Sequence, residues 1–312
     1  MNLFVGTDIN DIYPNLLLAI RDRGELEAKT RELLNVAIVL KDPEKGLIYL
    51  GKNWRWAFQE LFDRMSGHFV PETHYYNPGL AYKFRPAWGR KLAKEGGTFC
   101  YSYGSIIWKQ LEDILVELRK HKTTREAIMV MWEPQYLTRQ SDYNRRPCTL
   151  TWHFFIRQKK LFLNVNMRSN DAVNLLPYDI FHHTMLQRFV AHQLGLELGE
   201  YTHTSTHTYY PKKREARASR NYVDSVIEKM AMNRKMLEQN FPAAHVFSRF
   251  NTTKPGPKGK LSPRDINQDF FVILRHLHEG YHSVEEIKSP LLRDMVSHIK
   301  GLPTKSCIEK LK

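Results

Sequence analysis

The sequence predicts an α/β protein, and three observations carry that prediction. Runs at 35–40, 127–132, 149–156 and 161–167 are apolar, with many β-branched and aromatic residues, as strands require. Segments at 10–23, 54–65 and 180–196 instead carry apolar residues at helical spacing. A chain of 312 residues with 42% hydrophobic content has room for one large core, with or without an extension.

Taken in order, the 10–23 helix has Ile12, Leu16, Leu17 and Ile20 on one stripe and Gly24 as its stop. The run NVAIVL at 35–40 reads as a buried strand closed by the turn Lys41-Asp42-Pro43, with Arg31 just before it. The 54–65 helix gathers Trp54, Phe58 and Phe62 on one side and includes Glu60. A connector rich in Pro, Gly and Tyr fills 68–97. Thr123-Thr124-Arg125-Glu126 introduces the strand at 127–132.

The centre of the chain is a hairpin: 149–156, a polar break at 157–160, then 161–167. It delivers Cys148 and Arg168 to neighbouring strand ends, a thiol beside a fixed cation. Spacing alone leaves open a small core cysteine and a surface arginine. The helix at 180–196 is apolar enough to form the core, and its His182, His183 and His192 read as packing or surface residues. The Thr-rich run 202–209 alternates like a strand. His203 and His207 within it have no adjacent acidic third ligand, so no metal is expected.

Beyond Lys212 the chain turns strongly basic (PKKREARASRNY) and reads as helical to near 240. A Pro/Gly/Lys linker at 253–263 and two amphipathic helical patterns, about 263–279 and 284–299, follow.

A net charge of +14 points to anionic partners, either nucleic acid or a nucleotide phosphate with a carboxylate-rich cosubstrate. Three widely spaced cysteines (Cys100, Cys148, Cys307) suit a reducing compartment. No stretch has the length and apolarity of a membrane span, and the N-terminus lacks a secretory pattern. The expectation is a soluble cytoplasmic protein (host cytoplasm if phage-encoded), with no membrane partner.

Pro147-Cys148, Arg168-Ser169-Asn170-Asp171 and Leu176-Pro177-Tyr178-Asp179, in that order, resemble the thymidylate synthase family. The resemblance extends over about 31–215. It implies a mixed sheet with packed helices and a homodimer formed through the sheet face. It divides the chain into an N-terminal helical segment 1–30, a catalytic domain 31–250 and a basic, helical extension 251–312. Packing on the core is the default for that extension; a protein or nucleic-acid contact is the alternative.

The same resemblance implies the site. Cys148 corresponds to the nucleophile and Glu60, seven residues before Gly67, to a proton shuttle. Tyr103, in a Tyr-Gly-x-x-x-Trp opening of a helix reaching about 120, corresponds to a cavity phenol, with a core tyrosine as its alternative. Arg168 and Ser169 would grip the nucleotide phosphate, and Arg168 would lower the Cys148 pKa. Asp171 would hold the pterin ring of 5,10-methylenetetrahydrofolate, and His207 and Tyr209 the deoxyribose hydroxyl. Arg31 would belong to a phosphate-closing loop. Arg125 would reach the partner subunit's phosphate, with Glu126 where the family usually has a second arginine; Arg139, Arg145 or Arg146 would compensate.

Asp179 stands where the family's usual residue is Asn, and Asp there resembles the branch acting on deoxycytidylate. A carboxylate accepts from the cytosine amino group, whereas an amide matches uracil. The expected activity is therefore dCMP 5-hydroxymethylation. Thymidylate synthesis and dCMP 5-methylation are the alternatives. A nucleic-acid-binding protein on a retained scaffold is a third.

Overall fold

Strand β1 (Asn2–Gly6) leads into helix α1 (Ile9–Arg23), capped by Asp8, whose carboxylate accepts from the Asn10 N–H at 2.8 Å. Ile12, Leu16, Leu17 and Ile20 are buried on one stripe, as their spacing predicts. A Cβ at Gly24 would collide with the Ile20 carbonyl, which accepts the Gly24 N–H at 3.0 Å and ends the helix. The structure, a computed structural model, describes residues 1–28, 30–46, 48, 61, 64, 103–134, 136, 146–211, 223–228 and 230–232.

After β2 (Glu25–Glu27) comes β3 (Thr30–Leu40), so the strand expected at 35–40 is the second half of a longer one. Asn35, at φ 51°, sits in the left-handed region and shifts the alternation. Leu33 faces the core before it, and Val36, Ile38 and Leu40 do so after it. That change of phase hid the first half from a period-two reading. Arg31 accordingly lies within a strand, not in a loop, and donates to the Gly24 carbonyl at 2.8 Å.

Helix α2 (Tyr103–Lys120) precedes the short strand β4 (Ile128–Val130). The central hairpin is β5 (Thr149–Arg157) with β6 (Lys160–Asp171). Gln158 and Lys159, at φ 52° and 60°, make the two-residue turn whose twist matches the strands. Helix α3 (Leu176–Leu194) starts four residues earlier than its apolar pattern predicts. Pro177 fits its first turn because no intrahelical N–H bond is needed there. β7 (Glu197–Pro211) is the last described strand, and Val223 and Met230, helical residues beyond it, are buried in the same core.

The sheet runs β1-β3-β7-β6-β5-β4, with β2 also on β3. β1/β3 and β6/β7 are parallel and the other pairs antiparallel, so the sheet is mixed. Helices α1, α2 and α3 cover one face. Tyr13 of α1 donates to the Ala172 carbonyl at 2.8 Å, and the Gln187 amide of α3 donates to Leu161 and Gly199 carbonyls at 2.9 and 3.1 Å. One inward row crosses six strands: Phe4, Ile38, His203, Val165, Trp152 and Met129.

The opposite face carries the row Leu3, Ala37, Thr204, Asn166, Thr151 and Val130. Leu3, Val5, Ile128 and Val130 are exposed there, flanking a polar ladder in which Asn166 donates to Thr151 and Thr204 to Asn166.

Four interruptions line up across the sheet. Asn35, Thr206 and Arg168 are each missing from the pairing that surrounds them, and β5 shifts register between Thr149 and Thr151. This seam lies level with Cys148 and lets strand residues on its far side turn toward the helices.

Of the 54–65 helix, Leu61 and Arg64 are described, both helical and buried. Glu60, the connector 68–97, Arg139, Arg145, the basic segment after Pro211, the linker and the two C-terminal helices lie outside the described residues. Among the described residues no helix is long and apolar enough to cross a membrane.

Candidate active site

Cys148 immediately precedes β5, and its carbonyl accepts the Arg168 N–H at 2.9 Å. The hairpin thus brings the two residues together as predicted. The Arg168 guanidinium reaches back over the loop that carries Cys148, donating to the Pro147 carbonyl at 2.9 Å and the Arg146 carbonyl at 3.2 Å. It also lies 5.7 Å from the Trp132 ring centre. Arg168 therefore braces the loop that carries the thiol.

The expected depression of the thiol pKa is not found. Burial pushes Cys148 up, Arg168 draws it down, and the nearby Asp179 carboxylate adds to the rise; the balance is upward. One guanidinium does not offset an apolar pocket that also holds an anion.

Tyr103 stands beneath this loop, at the start of α2. Its hydroxyl oxygen accepts the N–H groups of Cys148 at 3.1 Å and Thr149 at 3.3 Å. Burial, helped by Cys148, raises its pKa to about 12. The phenol is a neutral support for the backbone at Cys148.

Asp179, in the first turn of α3, is buried and meets two partners. Its Oδ1 lies 3.3 Å from the Arg64 guanidinium, and its Oδ2 accepts from Asn170 at 3.3 Å. Arg64 also lies 4.7 Å from the Tyr103 ring centre. The Asn170 amide continues to His203 Nε2 at 3.2 Å, His203 Nδ1 meets the Tyr201 hydroxyl at 2.9 Å, and that hydroxyl meets His183 Nδ1 at 3.1 Å. Burial lowers His203 to about 3 and His183 well below its ordinary value, so both rings are neutral.

Asp171 ends β6 and organises the turn after it. Its Oδ1 accepts the N–H groups of Val173 and Asn174 at 3.0 and 2.9 Å, and its Oδ2 accepts the Asn174 amide at 2.7 Å. Ser169 and Asp171 pair across β7 with His207 and Tyr209. Tyr209 is hydrogen-bonded to Ser169 and, through burial with Asp171 and Cys148 nearby, is raised to about 12. His207 Nδ1 lies 3.2 Å from Glu32 Oε2.

Cys148, Tyr103, Arg168, Ser169, Asp171, Asp179, His207 and Tyr209 therefore share one end of the sheet. Arg125 does not join them: it is exposed, and its backbone bonds His153, five residues along β5 from Cys148. Arg31 faces Tyr210 across β3 and β7, with its guanidinium on Gly24. Arg64 and Tyr201 escaped the sequence reading, Asn170 entered it only as a motif position, and His203 only as a rejected metal ligand. Arg64 had a signal, since four residues separate it from Glu60 and put both on one helix face. His203 had one too, two residues from Tyr201 on the same side of a strand. Among the described residues no group of three metal-ligating side chains occurs.

Comparison with known proteins places the chain in a family. The family profile described as thymidylate synthase matches residues 73–253. Thymidylate synthase 1 of Bacillus spizizenii is 31% identical over 119 residues, which cover 35% of this chain and 42% of that protein. Thymidylate synthase of Bacillus phage phi3T gives the same identity, 31%, over 119 residues, with 35% and 42% covered. The chain thus spans less than half the length of these curated relatives. The solved structure of thermostable thymidylate synthase A from Bacillus subtilis superposes with a TM-score of 0.56 at 20% identity, covering 71% of this chain and 84% of that one. That likeness is one of fold; the profile spans more than half the chain and carries the assignment, so this chain belongs to the thymidylate synthase family.

Proposed function

We propose that the protein is a dCMP 5-hydroxymethyltransferase that uses 5,10-methylenetetrahydrofolate. The observation that carries the reading is Asp179, a buried carboxylate close enough to raise the Cys148 pKa, at the position that would face the base edge. Its oxygens only accept, which suits the cytosine amino group and opposes the uracil carbonyl.

In this mechanism the Cys148 thiolate adds to carbon 6 of the pyrimidine, which makes carbon 5 nucleophilic. The folate supplies the one-carbon unit. Removal of the carbon 5 proton would release tetrahydrofolate as the leaving group and leave an exocyclic methylene on the nucleotide; water adds to that methylene, and Cys148 leaves carbon 6. Tyr103 keeps the Cys148 backbone in place throughout. Glu60 moves the protons. Arg168, with Ser169, meets the nucleotide phosphate, and His207 and Tyr209 the sugar hydroxyl.

Asp171 fits a pterin partner. Three N–H groups occupy three of the roughly four acceptor positions of its carboxylate, leaving Oδ2 able to accept one more. Leu175, 37% exposed beside this turn, offers apolar contact.

A homodimer through the open sheet face is part of the same reading. The exposed Leu3, Val5, Ile128 and Val130 support it, as does the distance of Arg125 from its own Cys148. A second reading, thymidylate synthesis from dUMP, has support in the names of the matched relatives. The test is to supply dCMP or dUMP with methylenetetrahydrofolate, then identify the nucleotide by mass and the folate by absorbance. Hydroxymethyl-dCMP with tetrahydrofolate is expected; dihydrofolate with a methylated product would replace the reading.

A further inference from the structure

Asp179 reads the base only if its charge state is fixed. An ionised carboxylate accepts twice. A protonated one donates once and accepts once, so it admits uracil as well as neutral cytosine. A buried carboxyl group is under pressure to take the proton. The charge on Asp179 is therefore a second determinant of base choice, beyond the identity of the residue.

We propose that Arg64 is the positioning residue that holds Asp179 as a carboxylate and so restricts the site to a base with an exocyclic amino group. This inference rests on the dCMP reading above. The guanidinium is 3.3 Å from Oδ1, and both side chains are buried, at 7% and 11% exposure, so water screens the attraction little. It is the cation that hydrogen-bonds Asp179 among the described residues. The other described groups near Asp179 are neutral. Cys148 and Tyr201 are acids raised by burial, Tyr103 is neutral, His183 and His203 are neutral rings, and His182 neighbours them on α3.

The hydrogen-bond chain behind Asp179 reports the same charge. A carboxylate at Oδ2 obliges Asn170 to turn its NH2 toward it; the second N–H has Met167 Sδ at 3.1 Å and His203 Nε2 at 3.2 Å within reach, and the ring nitrogen is the stronger acceptor. His203 must carry its proton on Nδ1 and donate to Tyr201, whose hydroxyl donates to His183 Nδ1. His183 is left protonated on Nε2, an atom with no hydrogen-bond partner among the described residues. These directions are the ones that an ionised Asp179 supports.

The test uses the full-length protein with its aspartates and histidines isotopically labelled. In wild type the Asp179 carboxyl carbon should stay in its ionised position from pH 5 to 8, with His203 in the Nδ1–H form and His183 in the Nε2–H form. A carboxyl signal that titrates within that range, or the opposite tautomers, overturns the proposal without any variant. In Arg64→Met, calorimetric affinities should shift at least tenfold from dCMP toward dUMP, and that ratio should change with pH between 6 and 8. Arg64→Lys, which keeps the cation, should retain the wild-type ratio at every pH. An Arg64→Met protein with the wild-type ratio throughout overturns it. A wild type that prefers dUMP removes the dCMP reading instead, and the carboxyl and tautomer signals still report on Arg64.

Discussion

The Tyr103 hydroxyl oxygen accepts two backbone N–H groups, those of Cys148 and Thr149, at 3.1 and 3.3 Å. A helix residue thereby fixes the backbone of a strand end 45 residues later. Tyr103→Phe leaves the ring volume in place and strands two N–H groups, one of them fully buried. The expected loss is about 1–3 kcal/mol of stability, measured by urea unfolding. Turnover should fall more than nucleotide affinity, because the displaced atom is the reacting sulfur. Unchanged stability would remove the support role from Tyr103.

Cys148 should be needed for chemistry and not for binding. Cys148→Ser is expected to lose turnover while holding nucleotide affinity within about tenfold. The raised thiol pKa adds a second expectation. Alkylation by iodoacetamide depends on the thiolate, so its rate in the free protein should lie below that of a small thiol at pH 7 and climb past pH 9. A rate that levels off below pH 8 would contradict burial as the dominant influence. Arg168→Gln should move the profile further up, since Arg168 is the group drawing it down.

His203 and His183 make acid stability a property of the site. Their folded pKa values are lowered, His203 to about 3, while the unfolded chain protonates them near the ordinary 6.5. Below that value the unfolded state binds protons that the folded state refuses. The stability contributed is therefore complete above pH 6.5 and is lost as pH falls toward 3, at about 1.4 kcal/mol per pH unit for each ring. His203→Gln should remove one share of that slope in urea unfolding between pH 6 and 4. An unaltered slope would mean that His203 is protonated in the folded protein.

In the proposed homodimer, Arg125 would serve the other subunit's site. It is exposed and separated from Cys148 by most of β5, roughly five residues at about 3.3 Å each. Mixing inactive Arg125→Ala with inactive Cys148→Ser should restore activity, because one site of the mixed dimer receives both intact groups. No recovery after demonstrated subunit exchange would exclude a shared site.

The central hairpin was legible because both strands alternate over many residues and a polar break separates them. Its partners were not. His203 and Asn170 meet only because β6 and β7 run parallel, a pairing that no local pattern encodes. The first half of β3 was hidden by Asn35, which reverses the faces in the middle of the strand. Arg64 was visible as a charge on an apolar helix, but its partner lies 115 residues away. The Cys148 pKa failed for a physical reason: the sequence revealed the cation beside it and not the depth of the pocket or the second anion.

The last prediction concerns Asp179→Asn. On the base edge, the amide matches uracil and mismatches cytosine, a lost charged hydrogen bond of roughly 1.5–3 kcal/mol. The ratio of kcat/KM for dCMP over dUMP should therefore fall by at least tenfold. The structure adds a consequence for stability, because Arg64 then keeps its charge in a buried site and loses its carboxylate. Breaking one side of a buried pair costs about 3–5 kcal/mol, so the single variant should unfold at markedly lower urea. Arg64→Met combined with Asp179→Asn removes both charges, and the double variant should recover much of that loss while keeping the uracil preference. Unfolding curves of the two single variants and the double give the coupling directly. Strict additivity would dissolve the Arg64–Asp179 pair, and a dCMP/dUMP ratio unmoved by Asp179→Asn would take the base choice away from this residue.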